Sequence, residues 1–296
     1  MLHKLGRGLK RRLAGAVSLL SPLAYARAMG TMTATLWRHR VLWRETARQD
    51  IEDRYAGQML GSLWFIIQPV LTMLVFIFVF AFALRVRMPV NIDSTQSWGG
   101  YVLYLVSGMV TWISLQEILN RSVFAVTASA NLVKQVIFPV EVLPAKMLLS
   151  ALLTQAISLV VCFCYGIFVY GAPPVTVLLV PALMALQMLL SLGIALLFSA
   201  LAPFFRDLKD VIQMLSFILM YSMPIFYTLE MLPPWAGKIL LLNPFSHVII
   251  CWHDVIYWGA FTMPLSWVVF PVFSVISFAV GARVFLALKP MFGNVL

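Results

Sequence analysis

Few side chains in this sequence are placed to carry out chemistry. His247, His253 and Asp254 form the one cluster of candidate metal ligands, and their spacing matches no usual zinc site. Cys162 and Cys164 have one residue between them inside an apolar run, unlike the CxxC pattern of redox and zinc motifs. We therefore expect no catalytic residue, no metal site and no disulfide framework, and we interpret the three cysteines as buried and inert.

The sequence also lacks the motifs of enzymes and motors. It contains no GxxxxGK[ST] phosphate-binding loop, no HExxH or GxSxG motif and no carboxylate pair suited to glycoside hydrolysis. Ionisable residues within membrane spans mark ion or proton pathways. Here Glu117 and Arg283 fall near the cytoplasmic ends of predicted spans, and we interpret Glu117 as a charge at the water boundary. The chain is therefore a passive pore, a structural anchor or one half of a machine that another subunit powers.

The composition defines the environment in which these residues lie. Of the 296 residues, 62% are hydrophobic and 11% are charged, and the mean hydropathy is +0.94. Soluble domains carry about 25% charged residues, because their surface must face water. These figures predict an integral membrane protein, and they exclude a disordered chain, a collagen and a disulfide-stabilised scaffold.

Six segments are long and apolar enough to cross a bilayer as helices, which takes about 20 residues each. They are Ser62–Leu84, Tyr101–Leu119, Met147–Tyr170, Val175–Ala202, Val211–Leu229 and Pro264–Leu288. A further apolar stretch, Ile239–Ile250, is too short to cross and is broken by Asn243-Pro244, so we predict a re-entrant or interfacial segment between spans five and six. The predicted fold class is an all-α integral membrane protein.

The 21 lysines and arginines are distributed unevenly along the chain. Eleven precede the first span, while three, two and two lie in the second-to-third loop, the fourth-to-fifth loop and the C-terminal end. The opposite side receives Arg85, Arg87 and Lys238. The positive-inside rule therefore predicts a multi-pass protein of the cytoplasmic (inner) membrane with both termini in the cytoplasm. The net charge of +10 then reflects orientation and contact with anionic lipids, and no nucleic-acid partner is expected.

Residues 1–35 are predicted to form a basic cytoplasmic arm. Lys4–Arg12 followed by Leu13–Ala26 imitates a secretory signal, but Ser21-Pro22 interrupts the apolar part. Cleavage and export there would leave the six arginines from Arg27 to Arg54 outside, against the charge rule.

Residues 36–61 are predicted to contain an amphipathic interface helix. One helical face carries apolar side chains at spacings of seven and four, namely Leu36, Trp43, Ala47, Ile51 and Tyr55. Charged residues cover the rest, and Arg48 and Glu52 are placed to pair at four apart. Such a helix lies in the cytoplasmic membrane interface, or else it is a solvated helix that leads into the first span.

The Asn120–Lys146 connection is the longest predicted cytoplasmic loop. A short helix is expected to begin near Ser129 or Asn131 and to stop at Pro139. Its apolar side chains need a place to be buried. A groove of a partner protein and the underside of the chain's own spans are both open possibilities.

Several blocks of sequence, taken in order, carry a resemblance to a known family. They are Arg54-Tyr55, Leu60-Gly61-Ser62-Leu63-Trp64, Pro69, Asn131–Lys134, Phe138–Pro144, Phe205–Leu208, Pro224–Tyr227 and Leu242–Pro244. Over about residues 45–290 the chain resembles the membrane subunit of ABC-2 type exporters for polysaccharides, the group that handles O-antigen, capsule and teichoic acid.

The resemblance implies how the 62–296 six-span domain assembles. It implies a homodimer bound to two copies of a separate ATPase subunit, which would hold ATP and Mg²⁺, so this chain would need no cofactor and would not be an enzyme. The Asn131–Ile137 helix would be the coupling helix, with the residues Asn131, Lys134, Gln135, Phe138, Pro139 and Glu141. The interface helix would form a cytoplasmic gate with Trp43, Arg48, Arg54 and Tyr55. The broken Met231–Tyr257 segment would close the external end, with Pro233, Trp235, Asn243 and Pro244.

The implied cargo is a lipid-linked polysaccharide. The sugar hydroxyls would find no hydrogen-bond partners in a purely apolar pore. A suitable channel therefore combines aromatic rings with small polar groups. By resemblance the first and fifth spans line this channel, with the candidate residues Trp64, Phe65, Thr72, Phe76, Phe80, Phe217, Tyr221 and Thr228. The alternative is that these side chains face lipid or pack between helices.

Three other functions remain open from the sequence. An ABC-2 exporter of drugs or small lipids would share the architecture. A membrane-embedded glycan-processing enzyme would need paired ionisable residues near the outer loop, where Glu230 and Asp254 are weak support. A structural scaffold would need no ATPase partner.

Overall fold

The computed structural model describes residues 21–54, 56–86, 99–135 and 138–295, and within these ranges every regular element is a helix. In chain order the α-helices are α1 (Pro22–Arg38), α2 (Arg40–Arg54), α3 (Trp64–Ile77), α4 (Gly99–Ser122), α5 (Ala130–Gln135), α6 (Val142–Tyr170), α7 (Val180–Leu201), α8 (Leu208–Tyr221), α9 (Pro234–Leu242), α10 (Pro244–His253), α11 (Pro264–Leu288) and α12 (Phe292–Val295). Tyr55 and most of the predicted basic arm lie outside the described residues.

Within the described residues, five helical segments are long and apolar enough to cross a membrane. They are Trp64–Ala83, Gly100–Ser122, Val142–Tyr170, Val175–Leu201 and Pro264–Val295. The first joins α3 to a π-helical turn over Phe78–Ala83, and the fourth begins with a 3₁₀ turn over Val175–Leu179. The predictions of an all-α membrane protein and of five of its spans are therefore confirmed.

The fifth predicted span, Val211–Leu229, does not form one continuous helix. α8 ends at Tyr221 after 14 residues, which rise about 21 Å and fall short of a hydrocarbon core about 30 Å thick. The break precedes Pro224, which disfavours helical backbone at the residue before it. Residues 222–228 instead form a turn that is largely buried in the protein, as non-helical backbone at membrane depth requires.

The predicted break at Asn243-Pro244 is confirmed. The helices Pro234–Leu242 and Pro244–Trp258 meet at an angle of 100°, the geometry of a broken span or a re-entrant pair. The Asn243 side chain caps α10 by accepting the backbone N–H of Phe245, and Pro244 occupies the first helical position. Asn-Pro thus ends one helix and starts the next.

The core of the bundle is α4, whose residues Tyr101 to Trp112 are all buried. It is surrounded by α6, α7, α8 and α10. α7 and α11 cross in close contact, where a Cβ atom on Gly281 would lie 2.2 Å from the Gly193 carbonyl oxygen. Glycine at both positions lets the two backbones touch, the usual way in which helices pack within a membrane.

The helices before the first span pack on the bundle. α1 contacts α11 through Ala28 and Met32, which are both buried. A break at His39, which no sequence signal marks, separates α1 from α2. The apolar face of α2 packs against α6, and Ala47 is fully buried there. Of the face that the sequence assigns to the membrane interface, Ala47 is thus covered by protein, while Leu36, Trp43 and Ile51 are half-buried.

Candidate functional site

Four of the predicted channel-lining rings lie together in one aromatic row. Phe76 and Phe80, on the first span, stack on Phe226 with ring centroids 5.2 Å and 4.5 Å apart. The Tyr221 ring lies 5.5 Å from Phe226, and the Phe217 ring lies 5.1 Å from Tyr221. The row therefore runs from the first span to α8. Its central ring, Phe226, was not among the predicted residues, although it belongs to the Pro224–Tyr227 block.

The buried turn after α8 positions the central ring of this row. The hydroxyl of Tyr101 donates to the Phe226 carbonyl at 2.9 Å, and that of Tyr104 donates to the Pro224 carbonyl at 2.8 Å. Both tyrosines lie at the start of α4, at positions three apart on one helical face. Because α4 is buried, it holds the turn and Phe226 in a fixed place. The sequence gives no sign of these bonds, which join residues 120 and 125 positions apart.

The other predicted lining residues lie elsewhere. Trp64 is half-buried at the start of α3, and Phe65 is buried near the Arg54 guanidinium, 6.0 Å from the ring centroid. The Thr72 hydroxyl donates to the Gln68 carbonyl within its own helix. Thr228 is buried at the end of the turn and lines a separate cavity. The aromatic row therefore does not include these four residues.

Glu117 is the centre of a polar cluster near the C-terminal end of α4. Its Oε1 atom pairs with Arg54 of α2 and with Arg121, and it accepts the Ser150 hydroxyl at 2.7 Å. Its Oε2 atom accepts the Thr154 hydroxyl at 2.8 Å, and its side chain is 10% exposed. The interpretation of Glu117 as a charge at the water boundary stays a prediction, and the structure adds that both carboxylate oxygens are paired. Its partners come from three helices, which periodicity along α4 cannot reveal.

Asp50 joins α2 to the same cluster. Its carboxylate forms ion pairs with Arg121 and, at 3.1 Å, with Lys146 of α6. Burial by itself would raise the pKa of Asp50, but the two cations outweigh burial and hold that pKa below its usual value. The Trp43 indole also donates to the Ala145 carbonyl at 2.7 Å. Three side chains of α2 thus tie it to α4 and α6.

The outer face of α2 carries an exposed ion pair in place of contacts with the bundle. Arg48 is exposed and pairs with Glu52 at 2.8 Å, which confirms the predicted pairing at four residues apart. Two of the four predicted gate residues, Trp43 and Arg54, therefore contact the bundle, whereas Arg48 faces away from it.

A cavity of about 370 Å³ opens beside the Glu117 cluster. Its lining combines charged and amide groups with one aromatic ring and includes Arg54, Phe65, Gln68, Glu117, Asn120 and Thr154. Because helices α2, α3, α4 and α6 all contribute, a movement of α2 relative to the spans would change its width. The cavity lies where the predicted cytoplasmic entrance would be.

The predicted coupling residues separate into exposed and buried groups. Asn131 and Lys134 on α5 are exposed, and the side chain of Gln135 lies outside the described residues. Phe138 and Pro139 are half-buried, and Phe138 packs against the cluster that α1 and α11 form. The loop thus buries some apolar side chains under its own spans while it leaves others, such as Leu132, exposed.

Glu141 does not lie where a surface contact would be expected. Its side chain is 4% exposed, and its carboxylate pairs with Lys289 at 2.6 Å. The bond ties the start of α6 to the turn after α11. The expected direct contact of Glu141 with a partner is corrected to this internal pair.

Of the residues assigned to the external gate, Pro233 and Trp235 are exposed. Asn243 caps α10 and donates through Nδ2 to the Ser222 hydroxyl at 3.3 Å, and Pro244 is half-buried. The Asn243 bond connects the bend between α9 and α10 to the end of α8.

The clustered histidines and Asp254 bond to separate partners. His247 contacts the Ser266 hydroxyl at 2.8 Å, while His253 contacts the Ser107 hydroxyl at 2.8 Å. The Asp254 carboxylate accepts the Trp267 indole N–H at 2.8 Å. Across the described ranges, no group of three or more histidine, cysteine or acidic side chains is arranged to hold a metal ion.

The three cysteines differ in burial. Cys162 and Cys251 are buried as predicted, but Cys164 is exposed. Cys162 turns inward along α6, and a residue two positions further on a helix points to a different side.

The sequence is similar to a known protein family and to several known proteins. The chain matches the family described as ABC-2 type transporter over residues 41–257. It is 28% identical over 253 residues to the O-antigen export system permease protein RfbA of Klebsiella pneumoniae, covering 84% of this chain and 92% of that protein.

The similarity to two further relatives also extends over most of their length. The chain is 24% identical to the O-antigen export system permease protein RfbA of Myxococcus xanthus over 75% of this chain and 82% of that protein. It is 23% identical to the polysialic acid transport protein KpsM of Escherichia coli over 80% and 89%. The family match spans most of the chain and includes the first span, the Glu117 cluster and the aromatic row. This chain belongs to the ABC-2 type transporter family.

Proposed function

We propose that this chain is the membrane permease of an ATP-driven exporter that moves a lipid-linked polysaccharide across the inner membrane. The observation that carries the proposal is the aromatic row from Phe76 through Phe226 to Phe217. The relatives named for O-antigen export and polysialic acid transport support the choice of a polysaccharide as cargo.

The row suits a sugar chain for physical reasons. Aromatic faces pack against the C–H faces of sugar rings, and they hold no fixed charge that would trap a moving polymer. Tyr221 and Phe217 remain 44% and 61% exposed in the single chain, so a passing chain could reach them. A smooth surface of this kind allows a glycan to advance in small steps.

The channel is proposed to close between two copies of the chain. The first span and α8 expose many large apolar side chains, namely Ile66, Leu71, Leu74, Val75, Phe78, Phe82, Val211, Met214, Phe217, Ile218 and Tyr221. Within the most apolar 18-residue stretch of the first span, only 22% is buried inside the single chain. A second copy related by two-fold symmetry would cover these helices and place two aromatic rows opposite each other.

Two copies of a separate ATPase are proposed to bind at the cytoplasmic face. Asn131, Lys134 and Leu132 on α5 are exposed and available for a groove in that partner. Val133 and Phe138 behind them pack against the cluster of α1 and α11. Movement of the ATPases would therefore pass through α5 into the helices that it contacts.

The cavity beside Glu117 is proposed as the cytoplasmic entrance. α2 borders it and is tied to the spans by Asp50 and Arg54. The proposed orientation, with both termini in the cytoplasm, follows from the distribution of lysine and arginine. In that orientation the aromatic row lies between this cavity and the external side.

A transport assay with a matched control tests the proposed function. The chain, its ATPase and the genes for glycan synthesis are expressed together, and the glycan that reaches the outside is measured. We expect Tyr221→Ala to slow export roughly threefold to tenfold, because one ring contact contributes about 1 kcal/mol. Phe168→Ala is the control, since Phe168 is 90% exposed on α6 away from the row.

Membrane insertion and ATPase binding should be the same in both variants. Equal export by Tyr221→Ala and Phe168→Ala would show that the aromatic row is not the path of the cargo. Transport of drugs or short lipids without any glycan would show that the cargo is wrong.

A further inference from the structure

A second cavity, of about 290 Å³, lies near the opposite end of the bundle from the Glu117 cluster. Its walls are the start of α4, the turn after α8, α10 and the segment that follows α10. The residues that matter for the argument are Tyr104, Thr228, Glu230, Trp258 and Thr262. None of them belongs to the aromatic row, and the proposed orientation puts this cavity on the external side.

The Thr228 hydroxyl is a hydrogen-bonding group with no evident structural use. Thr228 is 6% exposed, and its hydroxyl has no hydrogen-bond partner among the described residues. Leaving a buried hydroxyl unpaired costs about 1–3 kcal/mol. Thr228 is one of the residues that line the cavity, so rotation about its χ1 angle would turn the hydroxyl toward a polar ligand there, which would satisfy it.

The remaining lining resembles a surface for a sugar ring. Trp258 offers an indole held at 4.7 Å from the Tyr257 ring, and Glu230 offers carboxylate oxygens that accept hydroxyl protons. The described lining contains no lysine or arginine. With Glu230 present and no cation, a phosphate or a carboxylate would be repelled.

The walls are fixed in advance. The Tyr104 hydroxyl bonds to the Pro224 and Tyr227 carbonyls, and its ring stacks on the His253 ring at 3.9 Å. The Thr262 hydroxyl donates to the Asp254 carboxylate. A ligand would therefore bind without first ordering these side chains, which makes weak binding of a small group feasible.

We infer that this cavity binds one uncharged sugar residue of the exported glycan as it leaves the channel. The inference rests on the proposed function and adds to it a site and a chemical class. One small ring matches the volume, which lies at the lower limit of ligand-binding pockets. A weak site here would hold the emerging chain and hinder its return between strokes of the ATPases.

Photo-crosslinking in the complete export system tests the inference. Cells that make the glycan from radiolabelled sugar carry the photoreactive residue p-benzoylphenylalanine in place of Trp258, Tyr221 or Leu178. Leu178 is the control, because it is 81% exposed on the same side of the bundle and does not line the cavity. We expect labelled glycan bound to Trp258→p-benzoylphenylalanine at least tenfold above the Leu178 control.

Two second-site variants define the chemistry. In the chain that carries the photoreactive residue at position 258, adding Thr228→Val should lower the yield of crosslinked glycan about fivefold. The substitution removes one hydrogen bond to the sugar while it keeps the shape of the side chain. Glu230→Gln should leave the yield within about twofold, since an amide oxygen still accepts a hydroxyl proton. A rise with Glu230→Gln would instead indicate an anionic ligand and overturn the assignment to an uncharged sugar.

The position-221 probe separates this inference from the proposed function. A crosslink at 221 without one at 258 above the control overturns the external site and leaves the channel intact. Absence of labelled glycan from both positions and from outside the cells overturns the proposed function, and the inference with it.

Discussion

At the scale of single residues, Glu117 shows how a charge can be accommodated at the end of a membrane span. A lone carboxylate there would be strongly destabilised, but two arginines and two hydroxyls satisfy its oxygens. Because Arg54 lies on α2 and Arg121 on α4, the same carboxylate links α2 to the core helix. Its role is therefore to position α2.

Replacement of this carboxylate tests that role. We expect Glu117→Gln to destabilise the protein in detergent by about 1–3 kcal/mol, since it removes the carboxylate that pairs with Arg54 and one of the two carboxylates that pair with Arg121. Thermal unfolding followed by tryptophan fluorescence measures the change. Glu52→Gln is the control, because it removes an exposed pair with Arg48 and should cost at most about 0.5 kcal/mol. If both variants melt at the same temperature, the cluster does not fasten α2.

At the scale of helices, the crossing of α7 and α11 depends on the absence of side chains. A Cβ atom on Gly193 would lie 2.4 Å from the Ser277 carbonyl carbon, and one on Gly281 would meet the backbone of Gly193. These neighbours are backbone atoms, which cannot rotate away. The two glycines therefore determine how closely the helices approach.

A larger side chain at this crossing should separate the pair. We expect Gly281→Val to prevent folding into a monodisperse particle, because the valine would require α11 to move away from α7. Size-exclusion chromatography in detergent, together with insertion measured in the membrane, gives the result. Gly30→Ala is the matched control, since a Cβ atom there meets nothing within 4 Å and alanine favours a helix. A normal elution profile for Gly281→Val would contradict the close contact.

At the scale of the whole molecule, the first span is the least covered of the five candidate spans in the described residues. α4 is largely buried, whereas the first span and α8 expose a broad apolar surface next to the aromatic row. Lipid would cover this surface in an isolated chain. In the proposed dimer the second copy would cover it, and the two rows would then enclose a path.

A charge on that surface tests the proposed dimer. We expect Ile218→Lys to weaken dimerisation about 100-fold, because burying a lysine between two chains costs about 3 kcal/mol. Native mass spectrometry over a dilution series measures the effect. Val160→Lys introduces the same charge on the 61%-exposed Val160 of α6 and should leave dimerisation unchanged. An equal response of the two variants would place the interface elsewhere.

The amino-acid sequence by itself determined the membrane environment, five of the spans and the break at Asn243-Pro244. These features depend on local quantities, namely the length of apolar runs and the backbone limits of proline. The sequence also indicated that Phe217 shares a helix face with Tyr221 and that Phe76 shares one with Phe80, because four residues make about one helical turn.

The tertiary structure alone decided which groups meet. It placed Phe226 between the two spans, enclosed Glu117 with partners up to 63 residues away, paired Glu141 with Lys289 and ended α8 at Tyr221. Each of these outcomes depends on helices that are distant in sequence and adjacent in space. A periodic pattern shows which face of a helix is apolar, but the packing of the bundle selects what that face touches.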